Sequence, residues 1–179
     1  MVLYLSLLIF ELLFLCALAA YSIGLLYSSV MGAPYVPTSK KHIDEILAKA
    51  RLKKGRLFME LGSGDGRLVR RAAQLYGIRG VGVDINGLLV LLSRFFASRQ
   101  HLHKIAFLNR NIFDVNFSNA NYIYFFLMPE TIKKLVPKME KEVSDGTLII
   151  SHGFKIMDWE DRLVDMIKSE PFSTFYYKC

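Results

Sequence analysis

The chain has 179 residues, 53% of them hydrophobic, and a formal net charge of +7. That is enough for one domain with its own core plus an appendage. Its two cysteines, Cys16 and Cys179, lie far apart in the chain. They exclude a disulfide framework and a cysteine-rich metal centre, and a reducing compartment is the simplest setting.

The charge is unevenly placed. Residues 1–39 carry one charged side chain, Glu11, so the remainder carries +8. A solvated basic surface explains that excess, as does attraction to an anionic membrane leaflet. The basic residues form no run interleaved with aromatics, so neither a nucleic-acid partner nor a metal is expected.

From Val2 to Val30 the sequence is almost all apolar. About 20 helical residues cross a hydrocarbon core of roughly 30 Å, so this stretch predicts a retained transmembrane anchor over residues 1–31. A signal peptide is disfavoured, because no positive region precedes the apolar run. Lys40, Lys41, Lys49, Arg51, Lys53 and Lys54 follow it. The positive-inside rule then predicts a single-pass membrane protein, in contact with the bilayer through residues 2–30, with its second domain (32–179) in the cytoplasm. Glu11 lies inside the run, protonated, paired or near the interface.

Pro34 and Pro37 forbid a regular helix at the exit of this segment. Thr38 or Ser39 caps a helix to about Ala50, with Ile43, Ile46, Leu47 and Ala50 on one face. The pattern then alternates. Strands are expected at Arg56–Leu61, Arg79–Val83, Ile105–Leu108, Tyr122–Leu127 and Thr147–Ser151. Helices are expected at Arg67–Tyr76, Gly87–Ser98 and from Pro129 to about Val143. Such alternation implies an α/β fold with a mostly parallel sheet and helices on both faces. Arg162–Ile167 and Ser173–Lys178 read either as a hairpin or as a helix and a strand.

Glu60-Leu61-Gly62-Ser63-Gly64-Asp65-Gly66 joins the first strand to the next helix. Its glycines let the backbone turn sharply and approach a ligand closely. Arg67 stands where a dinucleotide fingerprint needs its last glycine. Asp84 ends the second strand, where a carboxylate faces the ligand crevice and can accept both ribose hydroxyls; it also suits a turn or a helix cap. Asn111 and Ile112 follow the third strand, where an amide could meet an adenine amino group and an apolar side chain its face. A simple turn is an equally good local reading. Met128, Pro129 and Glu130 follow the fourth strand, where a buried strand end and a helix start explain the apolar part fully.

Together these motifs resemble the class I (Rossmann-like) methyltransferases that use S-adenosyl-L-methionine (SAM). Pro34-Tyr35-Val36-Pro37-Thr38-Ser39-Lys40-Lys41, followed by Glu60 to Arg67, is similar to the lysine N-methyltransferases of the ATP synthase c-subunit and the adenine nucleotide translocase. The resemblance implies a SAM-dependent methyltransferase acting on lysines of a membrane protein. It implies that Pro37, Thr38, Glu60, Gly62, Ser63, Gly64, Gly66, Asp84, Ile85, Asn111 and Ile112 hold the cofactor. It places Tyr35, Met128 and Pro129 at the reacting centre. Asn111 stands where an Asp is expected, and an amide oxygen still accepts. The chain shows no Arg/Ser-rich leader, which points to a bacterial-type relative rather than a mitochondrial enzyme. A methyltransferase for a small molecule or lipid, or a non-catalytic protein that kept the shell, are the competing readings.

Overall fold

A computed structural model describes residues 1–30 and 38–179. Seven strands form one sheet in the order β3-β2-β1-β4-β5-β7-β6. β1 (Leu57–Leu61), β2 (Arg79–Asp84), β3 (Ile105–Asn109), β4 (Tyr122–Phe125) and β5 (Leu148–His152) run parallel to one another. β7 (Thr174–Lys178) pairs antiparallel with both β5 and β6 (Leu163–Ile167). The C-terminal stretch is therefore a hairpin, and the parallel α/β expectation is met for the first five strands.

The helices follow from local signals. α1 spans Val2–Val30. α2 (Lys40–Ala50) starts at Ser39, whose hydroxyl accepts from the His42 N–H, and it buries Ile43, Ile46, Leu47 and Ala50. α3 (Arg67–Tyr76) leaves the glycine loop and ends at Gly77, whose left-handed backbone returns its N–H to the Ala73 carbonyl. α4 (Gly87–Arg99) is capped by Asn86. α5 (Pro129–Glu142) carries Pro129 in its first turn, where no N–H is needed. β4 stops at Phe125, two residues earlier than expected. Its pairings with Leu61 and Ser151 are the last on either side, and beyond Leu61 the chain turns into the glycine loop.

Strand periodicity divides the core in two. Phe58, Tyr122, Tyr124, Ile150 and Tyr176 pack with α2, α3 and α4 on one face. Met59, Leu61, Ile123, Phe125, Ile149 and Tyr177 pack with α5 and Trp159 on the other. Glu60 and His152 have the parity of the first set. The position that accepts a charged residue on β1 is thus on the face covered by α2. The Tyr176 hydroxyl donates to the Ile46 carbonyl and ties the hairpin to α2.

The membrane-spanning expectation is corrected. α1 forms where expected, but among the described residues no helix is long and apolar enough to cross a membrane. The single-pass placement, the bilayer contact and the cytoplasmic assignment drawn from flanking charge fall with it.

Leu47 is fully buried between α2 and the sheet. Leu47→Ala is expected to cost about 2–5 kcal/mol, read as a lower urea midpoint at unchanged slope. A loss under about 0.5 kcal/mol would show that α2 is not integral to the core.

Candidate cofactor and acceptor site

The glycine loop is built by backbone conformation. Gly62, Gly64 and Gly66 have φ of 75°, 53° and 73°, a region that side chains disfavour. The N–H groups of Gly62 and Ser63 both donate to the Val83 carbonyl, which holds the loop over β2. A Cβ on Gly66 would collide with the Phe107 ring, and one on Gly82 would meet the same ring. Ser93 of α4 donates to the Gly64 carbonyl at 3.0 Å and closes the loop from behind.

Asp84 is the junction. Its Oδ2 accepts from the Gly64 N–H at 2.7 Å and its Oδ1 from the Asn86 N–H at 2.8 Å. A carboxylate offers about four lone-pair directions, so one on each oxygen remains for a ligand. Asp84 is buried, and burial raises its carboxyl above the ordinary range against the pull of those two N–H groups. The Asp84 carbonyl accepts from the Asn109 side-chain amide and from the Arg110 N–H, and the Asn109 amide also reaches the Ile85 carbonyl. Asn111 is exposed, with its Oδ1 accepting from the Phe113 N–H at 3.1 Å, and Ile112 is half-buried beside it.

Glu60 is 6% exposed, paired in register with Gly82 on one side and Tyr124 on the other. Burial pushes its carboxyl well above the usual range. The Val69 N–H opposes that rise, and the charges of Asp65 and Asp84 add to it. Burial likewise drives the Tyr124 phenol far upward, reinforced by Glu60 and offset by the Thr38 hydroxyl beside it. Among the described residues, four buried polar atoms here have no hydrogen-bond partner: Glu60 Oε2, Ser63 Oγ, Asn86 Nδ2 and the Tyr124 hydroxyl. Buried polar groups are normally satisfied, so this cluster at the carboxyl ends of β1, β2 and β4 is the mark of a ligand site.

Thr38, Glu60, Gly62, Ser63, Gly64, Gly66, Asp84 and Ile85 are thus brought around one crevice. Met128, 42% exposed, and Pro129 begin α5 just past the end of β4. Tyr35 and Pro37 lie outside the described residues. Sequence reading misses Tyr124 and His152. Strand parity alone puts Tyr124 beside Glu60 and His152 near the end of the same face.

The family described as the ANTKMT methyltransferase domain matches residues 60–162, from Glu60 past His152. The chain belongs to this family. A protein-lysine N-methyltransferase of Saccharolobus islandicus is 33% identical over 150 residues, covering 80% of this chain and 89% of that relative. The human lysine N-methyltransferase of the ATP synthase c-subunit is 34% identical over 127 residues, covering 70% of this chain and 54% of the relative. The chain therefore spans about half the length of that human relative. The solved RNA methyltransferase of Salinibacter ruber, in complex with S-adenosyl-L-homocysteine, superposes with a TM-score of 0.76 at 31% identity, covering 80% of this chain and 93% of that one.

The chain is a SAM-dependent methyltransferase with a class I Rossmann-like fold. Its residues fit the cofactor: an unpartnered buried carboxylate oxygen suits the ammonium of the methionine end, and the free lone pairs of Asp84 suit a diol.

The raised pKa of Glu60 has a sign. The folded chain holds a proton there that the unfolded chain releases, so the stability contributed is full below the ordinary glutamate range. It is lost as pH rises through the folded value. Glu60→Gln is therefore expected to raise the melting temperature of the cofactor-free protein at pH 8 relative to wild type. It is also expected to weaken S-adenosylhomocysteine binding by about 10-fold or more, because a buried charged hydrogen bond contributes about 1.5–3 kcal/mol. Calorimetry on both proteins reads both effects, and unchanged affinity would remove Glu60 from the site.

Proposed function

We propose that the chain methylates lysine side chains of a membrane-associated protein. The observation that carries this reading is the family match, which runs through every strand end that builds the crevice. Relatives named for lysine N-methylation are similar to the chain, one over most of its own length. An acceptor such as the ATP synthase c-subunit, named in the human relative, sets the class of substrate.

Residue roles follow from position and, for Tyr35 and Pro37, from the family resemblance alone. Glu60 takes the ammonium of the cofactor, Asp84 its ribose, and the loop over residues 62–66 gives the backbone close approach. Asn111 and Ile112 flank the adenine. Pro37 and Thr38 close over the bound cofactor. Tyr35, Met128 and Pro129 border the acceptor. Bound there, the cofactor supplies a methyl group on a sulfonium, which a neutral amine displaces in line. The chain then has two tasks: to align the amine at about 3 Å from that carbon and to favour its uncharged form by partial burial. No side chain is assigned as general base.

The Salinibacter ruber structure favours RNA as a second acceptor class, since it is similar over nearly its whole length. Both readings are separated by incubating host membranes and host RNA with methyl-labelled SAM. The expected label is protease-sensitive, nuclease-resistant, absent from lipid extracts, and recovered as methyl-lysine after hydrolysis. Glu60→Gln is expected to lower it at least about 10-fold. Label confined to RNA or to lipid would overturn the lysine assignment.

A further inference from the structure

A small cleft of about 180 Å³ opens beside the cofactor residues. Phe126, just past β4, His152, at the end of β5, and Phe172, in the β6–β7 turn, line one part of it. Thr38, Ser39 and His42 of the α2 start line another. The three rings meet edge to face. Phe126 lies 4.7 Å from His152 and 4.9 Å from Phe172, and His152 lies 6.1 Å from Phe172.

The cleft connects to the cofactor residues through two groups. Tyr124 is paired in register with Glu60 and stacked on His152 at 6.4 Å. Thr38 lies beside the Tyr124 phenol and also lines the cleft. The walls are fixed. Gly153 has a φ of 90°, and a Cβ there would strike the Phe126 ring. Its N–H donates to the Ser173 carbonyl, which anchors the turn that carries Phe172. His152 Nδ1 is engaged by the Thr174 hydroxyl at 2.8 Å, which fixes the ring and leaves Nε2 without a partner among the described residues. Burial, with the charge of His42, lowers the imidazole to about 4, so His152 is uncharged at neutral pH.

We propose that the cleft bounded by Phe126, His152 and Phe172 receives the nitrogen end of the acceptor's alkylamine side chain. It rests on the lysine reading above and names the residues that select for it. Aromatic faces attract a cationic nitrogen, or an amine with its attached CH2 groups, by their quadrupole. Among the described residues no carboxylate lines the cleft, so nothing there locks a proton onto the amine. In the tautomer whose Nδ1–H donates to Thr174 Oγ1, His152 Nε2 accepts an N–H of the acceptor and orients it. Phe126, His152 and Phe172 are positioning and selectivity residues.

The test uses the full chain saturated with S-adenosylhomocysteine. The probe is N-acetyl-Nε-trimethyl-lysine amide, whose quaternary nitrogen accepts no further methyl group and so reports occupancy without turnover. N-acetyl-norleucine amide is the uncharged control. By calorimetry the cationic probe is expected to bind at least about 5-fold tighter than norleucine. Phe172→Leu, which keeps bulk and loses the ring, is expected to weaken the probe about 3- to 30-fold, and Phe172→Tyr to keep it within about 2-fold. S-adenosylhomocysteine affinity is expected to be equal in all three proteins. Equal affinity for both probes, or an unaffected Phe172→Leu, overturns the proposal. A chain that methylates protein lysines yet shows either result sinks the cleft alone. A chain that binds the probe as expected but labels no protein lysine sinks the lysine reading alone.

Discussion

The site depends on one carboxylate. Asp84 accepts an N–H from Gly64 with one oxygen and from Asn86 with the other. The first bond holds the loop after β1, and the second holds the cap of α4. Both crevice walls are therefore positioned by a single side chain at the end of β2, and its own carbonyl secures the loop after β3. Removing the carboxylate would leave two N–H groups unsatisfied in a buried place, at about 1–3 kcal/mol each. The same geometry leaves each oxygen with capacity for a ligand. A carboxylate has more acceptor positions than the fold consumes, so the residue that holds the junction keeps the capacity its proposed binding role needs.

Around that junction the chain keeps polar atoms that the fold does not satisfy. Glu60 is buried on a sheet face that also carries Phe58, Tyr122, Tyr124, Ile150 and Tyr176. A leucine would pack there without penalty. Glu60 Oε2, the Tyr124 hydroxyl and Asn86 Nδ2 are held in desolvated positions without a hydrogen-bond partner among the described residues. Groups so held bind a complementary ligand strongly, because the desolvation has already been met in folding. On the proposed reading, stability given up at β1 reappears as affinity.

Much of this is legible in the sequence, for identifiable reasons. The helix faces, the caps at Ser39 and Asn86, and the strand–glycine–helix junction over residues 60–66 are local patterns, and they sit within a residue or two of the expected bounds. The C-terminal hairpin is ambiguous in sequence because its pairing is tertiary: β7 has no sequence signal for insertion between β5 and β6. Tyr124 and His152 escape notice for a related reason. A tyrosine in an apolar strand reads as core, and only the register with Glu60 reveals it as a wall of the site. Hydropathy alone misleads at α1, where apolar composition by itself does not make a span. The acceptor cleft draws on Thr38, Phe126, His152 and Phe172, residues that no local motif joins.

Phe107 constrains more than its own strand. Its ring lies against the space that a Cβ would need at Gly66 and at Gly82, while Ser93 stands within reach of the first. Neither glycine is free to drift on its own. A larger residue at 82 would need the ring on β3 to shrink, and a shrunken ring would leave a hole behind the loop; at 66 the left-handed backbone disfavours any side chain whatever the space. A substitution at 82 must therefore travel in company. Across the family, a larger residue at 82 is expected to come with a smaller one at 107, while 66 is expected to stay glycine.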